Sequence, residues 1–343
     1  MNHIGELKKF ASVHSKLLNI PDDLWEEVLD RISHDRDGAP RSWVYEWSSV
    51  GDAYRADGDN LAACNCYTMA RFPFVDGAAR QEALRRAVES FDEWRSNRSE
   101  IGRLDLELAE PKGRVRCLTN GLSATRPRPL LLFMGGIVSL KEQWAPLLEL
   151  ADQLGLAMVI TEMPGVGENT VRYERDSWRM LPRILDALAS HADVARTFAI
   201  ANSFSGHLAL RCAIEEPRIR GVISNAAPIS DFFTDVDWRT QLPRVTIDTL
   251  AHLLGTSPEN LSSELDGWAL TPEELAALRI PVAYMASTQD EITPPSEIHH
   301  LRDHVHNLRT RVLDDVHASP GHLQETREWL FDSLTRMRQE QQV

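Results

Sequence analysis

Phe198-Ala199-Ile200-Ala201-Asn202-Ser203-Phe204-Ser205-Gly206-His207 decides how this chain is read. An apolar, β-prone run over 197–200 meets a cluster of small residues around one serine, and the spacing of Leu208, Leu210, Cys212 and Ala213 predicts a helix directly after it. A serine on a sharp strand-to-helix turn has its hydroxyl pushed clear of the backbone, where it can act as a nucleophile. The strained turn presses the residues two positions away against the flanking strand and helix, so they must be small. Here they are Ala201 and Ser205, with Gly206 next, a degenerate form of G-x-S-x-G.

Outward from this turn, short β-prone runs alternate with helical stretches. Runs over 104–108 and 115–118 predict a strand pair separated by Pro111-Lys112-Gly113, and 129–134 is continuously apolar and ends in Gly135-Gly136. Such runs are expected of strands buried on both faces. Further strands are expected over 157–161, 197–200, 221–224, 281–286 and 310–313, with helices over 141–154, 175–190, 206–216, 294–308 and 321–337. This alternation predicts a mostly parallel sheet with helices on both faces. Residues 231–280 interrupt it as a helical insertion placed over the carboxyl ends of the strands, where ligands of such sheets bind. Residues 1–100 have a different texture. They carry only helical patterns, one opening at Pro21-Asp22-Asp23 and others marked by Trp43, Trp47, Val50 and Tyr54, and by Leu84, Ala87, Val88 and Phe91. The expected organisation is a helical, lid-like domain over 1–100 and a catalytic domain over 101–343.

A serine hydroxyl is a poor nucleophile until a base lies within hydrogen-bond reach, and that base needs an orienting carboxylate. Asp290 follows the 281–286 strand and precedes a Pro-Pro pair, as the orienting acid requires; Glu291 is the weaker alternative. His317 follows the 310–313 strand, in the loop before the last helix, and His322 competes with it at the helix start. The order Ser, acid, His at successive strand ends is that of the α/β-hydrolases. An oxyanion would be held by two backbone N–H groups, from Phe204 and from Gly136 or Ile137 in the glycine loop. Trp144, Trp178, Phe232, Phe233 and Trp238 are candidates for a substrate pocket.

Composition narrows the function classes. The 343 residues are 43% hydrophobic and 26% charged, as expected of a globular chain with a large core. A net charge of −14 argues against a nucleic-acid partner. No 18-residue apolar run and no apolar leader occur, so neither a membrane span nor export is expected, and the chain is placed in the cytoplasm. Four cysteines are expected as reduced thiols. Cys64-x-Cys66 lacks a second ligand pair, and His299, His300, His304 and His306 lack a supporting third ligand, so no metal and no cofactor are expected. The expected partner is a small-molecule substrate, and a homodimer is left open.

Gly135-Gly136-x-x-Ser139-x-Lys141-Glu142 resembles the GG-x-x-S/T-x-K-E loop of the FrsA-like α/β-hydrolases, and Met163-Pro164-Gly165-Val166-Gly167-Glu168 is similar to that family's D-G-P-G-x-G-E turn. Tyr67-x-Met69-Ala70-Arg71, the helical insertion, the Asp290 segment and Trp329-Leu330-Phe331-Asp332 extend the likeness to nearly the whole chain. The resemblance implies the α/β-hydrolase fold under an all-helical N-terminal domain. It also implies a triad carried here by Ser203, Asp290 and His317. The chemistry implied is cleavage of esters, or of carbon–carbon bonds beside a ketone, in aromatic or polyketide-like molecules. Some members lack the serine and serve as regulators. The chain departs from the family pattern at Ala201 and Ser205, at Glu162-Met163 where Asp-Gly is usual, and around His317.

Overall fold

The structure is a computed structural model and describes residues 2–341. Eight strands form one sheet: β1 (Gly102–Ala109), β2 (Lys112–Asn120), β3 (Pro129–Met134), β4 (Ala157–Thr161), β5 (Asp193–Asn202), β6 (Ile219–Asn225), β7 (Val282–Ser287) and β8 (Leu308–Leu313), in spatial order β1-β2-β4-β3-β5-β6-β7-β8. The β1–β2 hairpin is antiparallel and joins β4 in antiparallel fashion, and every later pairing is parallel. Each expected strand is present. All five residues of β4 are buried, as are the last five of β3, which is why these segments read as unbroken apolar runs.

The order β4-β3-β5 matters most for the site. From β3 the chain first adds β4 on one side and then returns to add β5 on the other. The carboxyl ends of β3 and β5 therefore flank the point where the winding reverses and a crevice opens. The Gly135-Gly136 loop leaves β3 and the Ser203 turn leaves β5 at that point, with Met134 opposite Ala201 in the register.

Two expected helices differ in kind. Over 141–154 the chain forms a 3-10 helix, Lys141–Leu150, before a single α-turn, because Pro146 cannot donate an i→i−4 bond. Over 175–190 a 3-10 turn, Ser177–Arg179, precedes the helix Met180–Leu188. The helix Phe204–Glu215 begins directly at the serine, and Leu323–Glu340 closes the fold.

Before β1 lie the helices Ile4–Leu17, Asp22–Arg31, Trp43–Ala56, Asn60–Arg71 and Ala78–Arg95. Trp43 and Trp47 are fully buried in their core, and the Trp43 indole N–H donates to Met69 C=O at 2.7 Å. That core continues into the rest of the molecule. Tyr67, Ala87 and Phe91 belong to the same apolar cluster as the strands, while Val245 of the insertion packs with Trp43 and Phe72. The Glu6 carboxylate accepts from Val245 N–H at 2.8 Å, anchoring the first helix to the start of the insertion helix Arg244–Leu254. The four cysteines are buried and unbonded, and among the described residues no helix is long and apolar enough to cross a membrane.

Candidate active site

Ser203 has φ 55° and ψ −137°, the left-handed strain that a non-glycine residue adopts only where its surroundings enforce it. The enforcement is visible. Ser203 N–H donates to Asn225 C=O at 2.8 Å, and the Ser205 hydroxyl lies 2.8 Å from Asn202 C=O and 3.2 Å from Met134 C=O, tying the turn to β3. Ser205, which departs from the usual glycine, therefore braces the elbow. The smallness requirement falls on Gly206: a Cβ there would sit 2.2 Å from Ser224 Oγ and 2.5 Å from Ala227 Cβ.

His317 Nε2 lies 2.9 Å from Ser203 Oγ. Its Nδ1 lies 2.9 and 3.0 Å from the two Asp290 oxygens. Asp290 Oδ1 also accepts from Ile292 N–H at 2.8 Å and Thr293 N–H at 2.7 Å, which orients the carboxylate. Burial works against a charged His317, but the Asp290 charge and hydrogen bond, with Glu291 behind them, outweigh it and hold the imidazole above its ordinary value. Glu291 does not face the ring; it accepts from the His317 backbone N–H at 3.0 Å. Two successive left-handed residues, Ala318 (φ 62°) and Ser319 (φ 54°), turn the chain after His317, and Asn225 Nδ2 donates to Ala318 C=O at 3.0 Å. His322, half-exposed, lies 3.2 Å from Asp315 and away from the serine.

The loop after β3 passes close to Ser203: a Cβ on Gly136 would lie 3.2 Å from Ser203 Cβ and 3.6 Å from its Oγ. The N–H groups of Phe204, Gly136 and Ile137 have no acceptor among the described residues. Arg71 holds the loop from behind, donating to Val138 C=O and to Pro73 C=O, each at 2.9 Å. Arg71 is fully buried without a carboxylate in contact, and burial pushes its guanidinium down to about 10. Sequence reasoning noted Arg71 only as part of a resemblance, and nothing in its spacing announced this contact.

Ser203 and His317 open on a cavity of about 450 Å³. Its walls are mainly apolar: Phe10, Val13 and Leu17 from the first helix, Ile137, Val138 and Trp144 near the glycine loop, and Leu323, Leu330 and Phe331 from the last helix. Val245, Thr246 and Thr249 come from the insertion. Of the five aromatic candidates, only Trp144 lines this cavity. The other four expectations are corrected. Phe232 packs edge-on against Phe204 at 5.2 Å, and Phe233 stacks with Trp268 and meets His207. Trp178 is buried in the core, and the Trp238 indole donates to Ile292 C=O at 2.8 Å. These rings seat the insertion on the fold. His300 and His304 meet ring to ring at 4.8 Å, and no group of side chains able to hold a metal occurs among the described residues.

An eight-stranded sheet wound in this order, with a strained serine elbow after its fifth strand, is the α/β-hydrolase fold, and the chain is a hydrolytic enzyme of that class. It belongs to the FrsA-like esterase family, whose model, described as Esterase FrsA-like, matches residues 13–334. Esterase FrsA of Vibrio vulnificus is 24% identical over 296 residues, covering 79% of this chain and 70% of the relative. Esterase FrsA of Salmonella paratyphi B is 26% identical over 298 residues, covering 80% and 70%. The solved structure of wild-type AbyA5 superposes with a TM-score of 0.94 at 48% identity, covering 98% of this chain and 95% of that one. The 2,6-dihydroxy-pseudo-oxynicotine hydrolase superposes at 0.73 with 20% identity, covering 94% and 95%, a likeness of fold.

Proposed function

We propose that the chain is a serine hydrolase in which Ser203, His317 and Asp290 act as a triad on a carbonyl of a bulky, largely apolar small molecule, aromatic or polyketide-like. The observation that carries this reading is the relay from Asp290 through both ring nitrogens of His317 to Ser203 Oγ, opening on an apolar cavity. Ser203 Oγ attacks the carbonyl carbon while His317 Nε2 takes its proton and Asp290 fixes the tautomer. The oxyanion is held by Phe204 N–H and by the N–H of Gly136 or Ile137. His317 then returns the proton to the leaving group. An ester releases its alcohol; a substrate with a ketone beside the scissile bond releases a carbon that leaves as an enolate and is protonated there. Water, deprotonated by His317, frees the acyl group. The helical region over 1–100 and the insertion over 231–280 form the lid that keeps bulk water out.

A fluorophosphonate probe tests the serine: it labels the wild-type protein at Ser203 and leaves Ser203→Ala unlabelled. A folded wild-type protein that resists labelling would sink the enzyme reading in favour of a binding protein on this scaffold. The enclosure of the cavity by the first and last helices supports a second reading, transfer of the acyl group to a hydroxyl of the same substrate. Mass spectrometry of products separates the two: two fragments with one water added mark hydrolysis, and unchanged mass marks cyclisation.

The pH profile gives a further expected outcome. His317 works as a base only when neutral, and Asp290 holds its pKa above the ordinary value of about 6.5. On p-nitrophenyl butyrate, kcat/KM should therefore rise with pH through an inflection above that value. Asp290→Asn should move the inflection downward and lower kcat by about 10³–10⁴-fold. His14, pushed to about 4, stays neutral throughout that window. An inflection that Asp290→Asn leaves in place would refute the pairing.

A further inference from the structure

His14 is the one imidazole besides His317 that lines the cavity, and the mechanism leaves it without a task. It sits on the first helix, Ile4–Leu17, which packs against the turn Pro320–His322 after the His317 loop. On a helix carrying Lys8, Lys9 and Lys16, the ring turns away from the exposed face and packs against Phe72, centroids 4.8 Å apart. That contact fixes its plane and offers no hydrogen bond. Neither ring nitrogen has a hydrogen-bond partner among the described residues, and neither is fully enclosed by protein. Both therefore face open space. The residue lines the cavity, so an oxygen of a bound molecule can come within reach of the ring.

We propose that His14 recognises the substrate, hydrogen-bonding an uncharged oxygen of the bound molecule, a hydroxyl or a ketone, at a point of the cavity separate from the reacting carbonyl. The proposal rests on reading this cavity as the substrate site. Burial first, and then the Arg71 and His317 charges, keep the ring neutral, so it offers one N–H and one lone pair. A neutral ring suits a neutral oxygen, and no carboxylate contacts it to compete. Most of the surrounding wall, Phe10, Val13, Leu17 and Phe72 among it, can only exclude water. One oxygen misplaced against that wall would go unpaired, so His14 would fix the direction in which a flat apolar molecule enters.

Binding is measured in full-length Ser203→Ala protein, so that the result does not depend on the serine's reactivity. The probes are 2-naphthol against 2-methylnaphthalene and 2-acetylnaphthalene against 2-isopropenylnaphthalene, each hydrocarbon matching its partner in shape and carrying no oxygen. With His14 present, at least one oxygen-bearing probe should bind about tenfold or more tightly than the hydrocarbon. In His14→Phe and His14→Leu that ratio should fall to near one, and His14→Gln, which keeps a donor and an acceptor, should recover part of it. The ¹⁵N signals of the His14 ring should move with the oxygen-bearing probe and stay with the hydrocarbon. Melting curves confirm that each variant is folded. The proposal is overturned if neither oxygen-bearing probe outbinds the hydrocarbon, or if the ratio survives in both apolar variants. Failure of the serine-hydrolase reading would look different: no fluorophosphonate labelling, with the His14-dependent ratio intact.

Discussion

Ser203→Ala is expected to lower kcat by about 10⁵–10⁶-fold, with the protein still folded and still binding apolar aromatic ligands. Removing Oγ leaves His317 with no proton to take and the carbonyl with no attacking atom. The residual rate then comes only from the oxyanion donors and from binding. Ala fits the site sterically, since Cβ is retained, although its φ of 55° remains strained. Ser205 cannot substitute, because its hydroxyl is committed behind the elbow to the carbonyls of Asn202 and Met134. A residual rate within about tenfold of wild type would place the chemistry elsewhere. The measurement is burst and steady-state kinetics on p-nitrophenyl butyrate, alongside circular dichroism to establish folding.

Lys141→Met is expected to cost about 3–5 kcal/mol of stability, read from urea unfolding. Lys141 Nζ lies 2.6 Å from Glu142, 3.0 Å from Glu168 and 3.4 Å from Glu162, and the Lys141, Glu142 and Glu162 side chains are about 1% exposed or less. Glu168 has further partners in Arg103 and Arg116, but Glu142 and Glu162 would be left as buried charges. Lys141 directly follows the loop that passes Ser203, and its backbone N–H donates to Glu162 at 3.2 Å, so a loss of activity should accompany the loss of stability. The deficit should depend on pH. Burial already pushes the Glu162 carboxyl up to about 7, against the pull of Lys141. A carboxyl raised in the folded state costs stability as pH rises from its unfolded value through its folded one. Without Lys141 that cost grows, so the variant should lag wild type more at pH 8 than at pH 5, where the carboxyl can hold its proton. Lys141→Arg, which keeps the charge, should lose less. An equal deficit at both pH values would show that packing, and not charge, is what Lys141 supplies.

The centre of the sheet was legible because its strands there are buried on both faces. A run such as Leu130-Leu131-Leu132-Phe133-Met134 has no solvent side to betray a period, and the glycines after it mark where it stops. The serine elbow was legible for a steric reason: Gly206 is pressed against Ser224 and Ala227, so the small residues record a contact still far away in the chain. Histidines carry no such record. His317 and His322 both follow β8 and precede the last helix. What separates them is a turn through Ala318 and Ser319, two residues whose identity does not announce a left-handed backbone. The aromatic candidates failed for a related reason. The size and apolarity of Trp178, Phe232 and Phe233 favour burial but do not say whether they meet a cavity or a neighbouring element.

By itself, then, the sequence determined the order of strands and helices, the serine turn, the glycine loop and the chain order of Ser203, Asp290 and His317. Each of these is a demand of backbone geometry or of burial, and such demands leave their mark on the identity of the residues that meet them. Only the tertiary structure decided which histidine reaches the serine, that Arg71 braces the loop beside it, and that the first helix brings His14 to the same cavity. Those pairings join residues 67, 114 and more positions apart, and distances of that kind are set by how the helices pack on the sheet, not by any pattern along the chain.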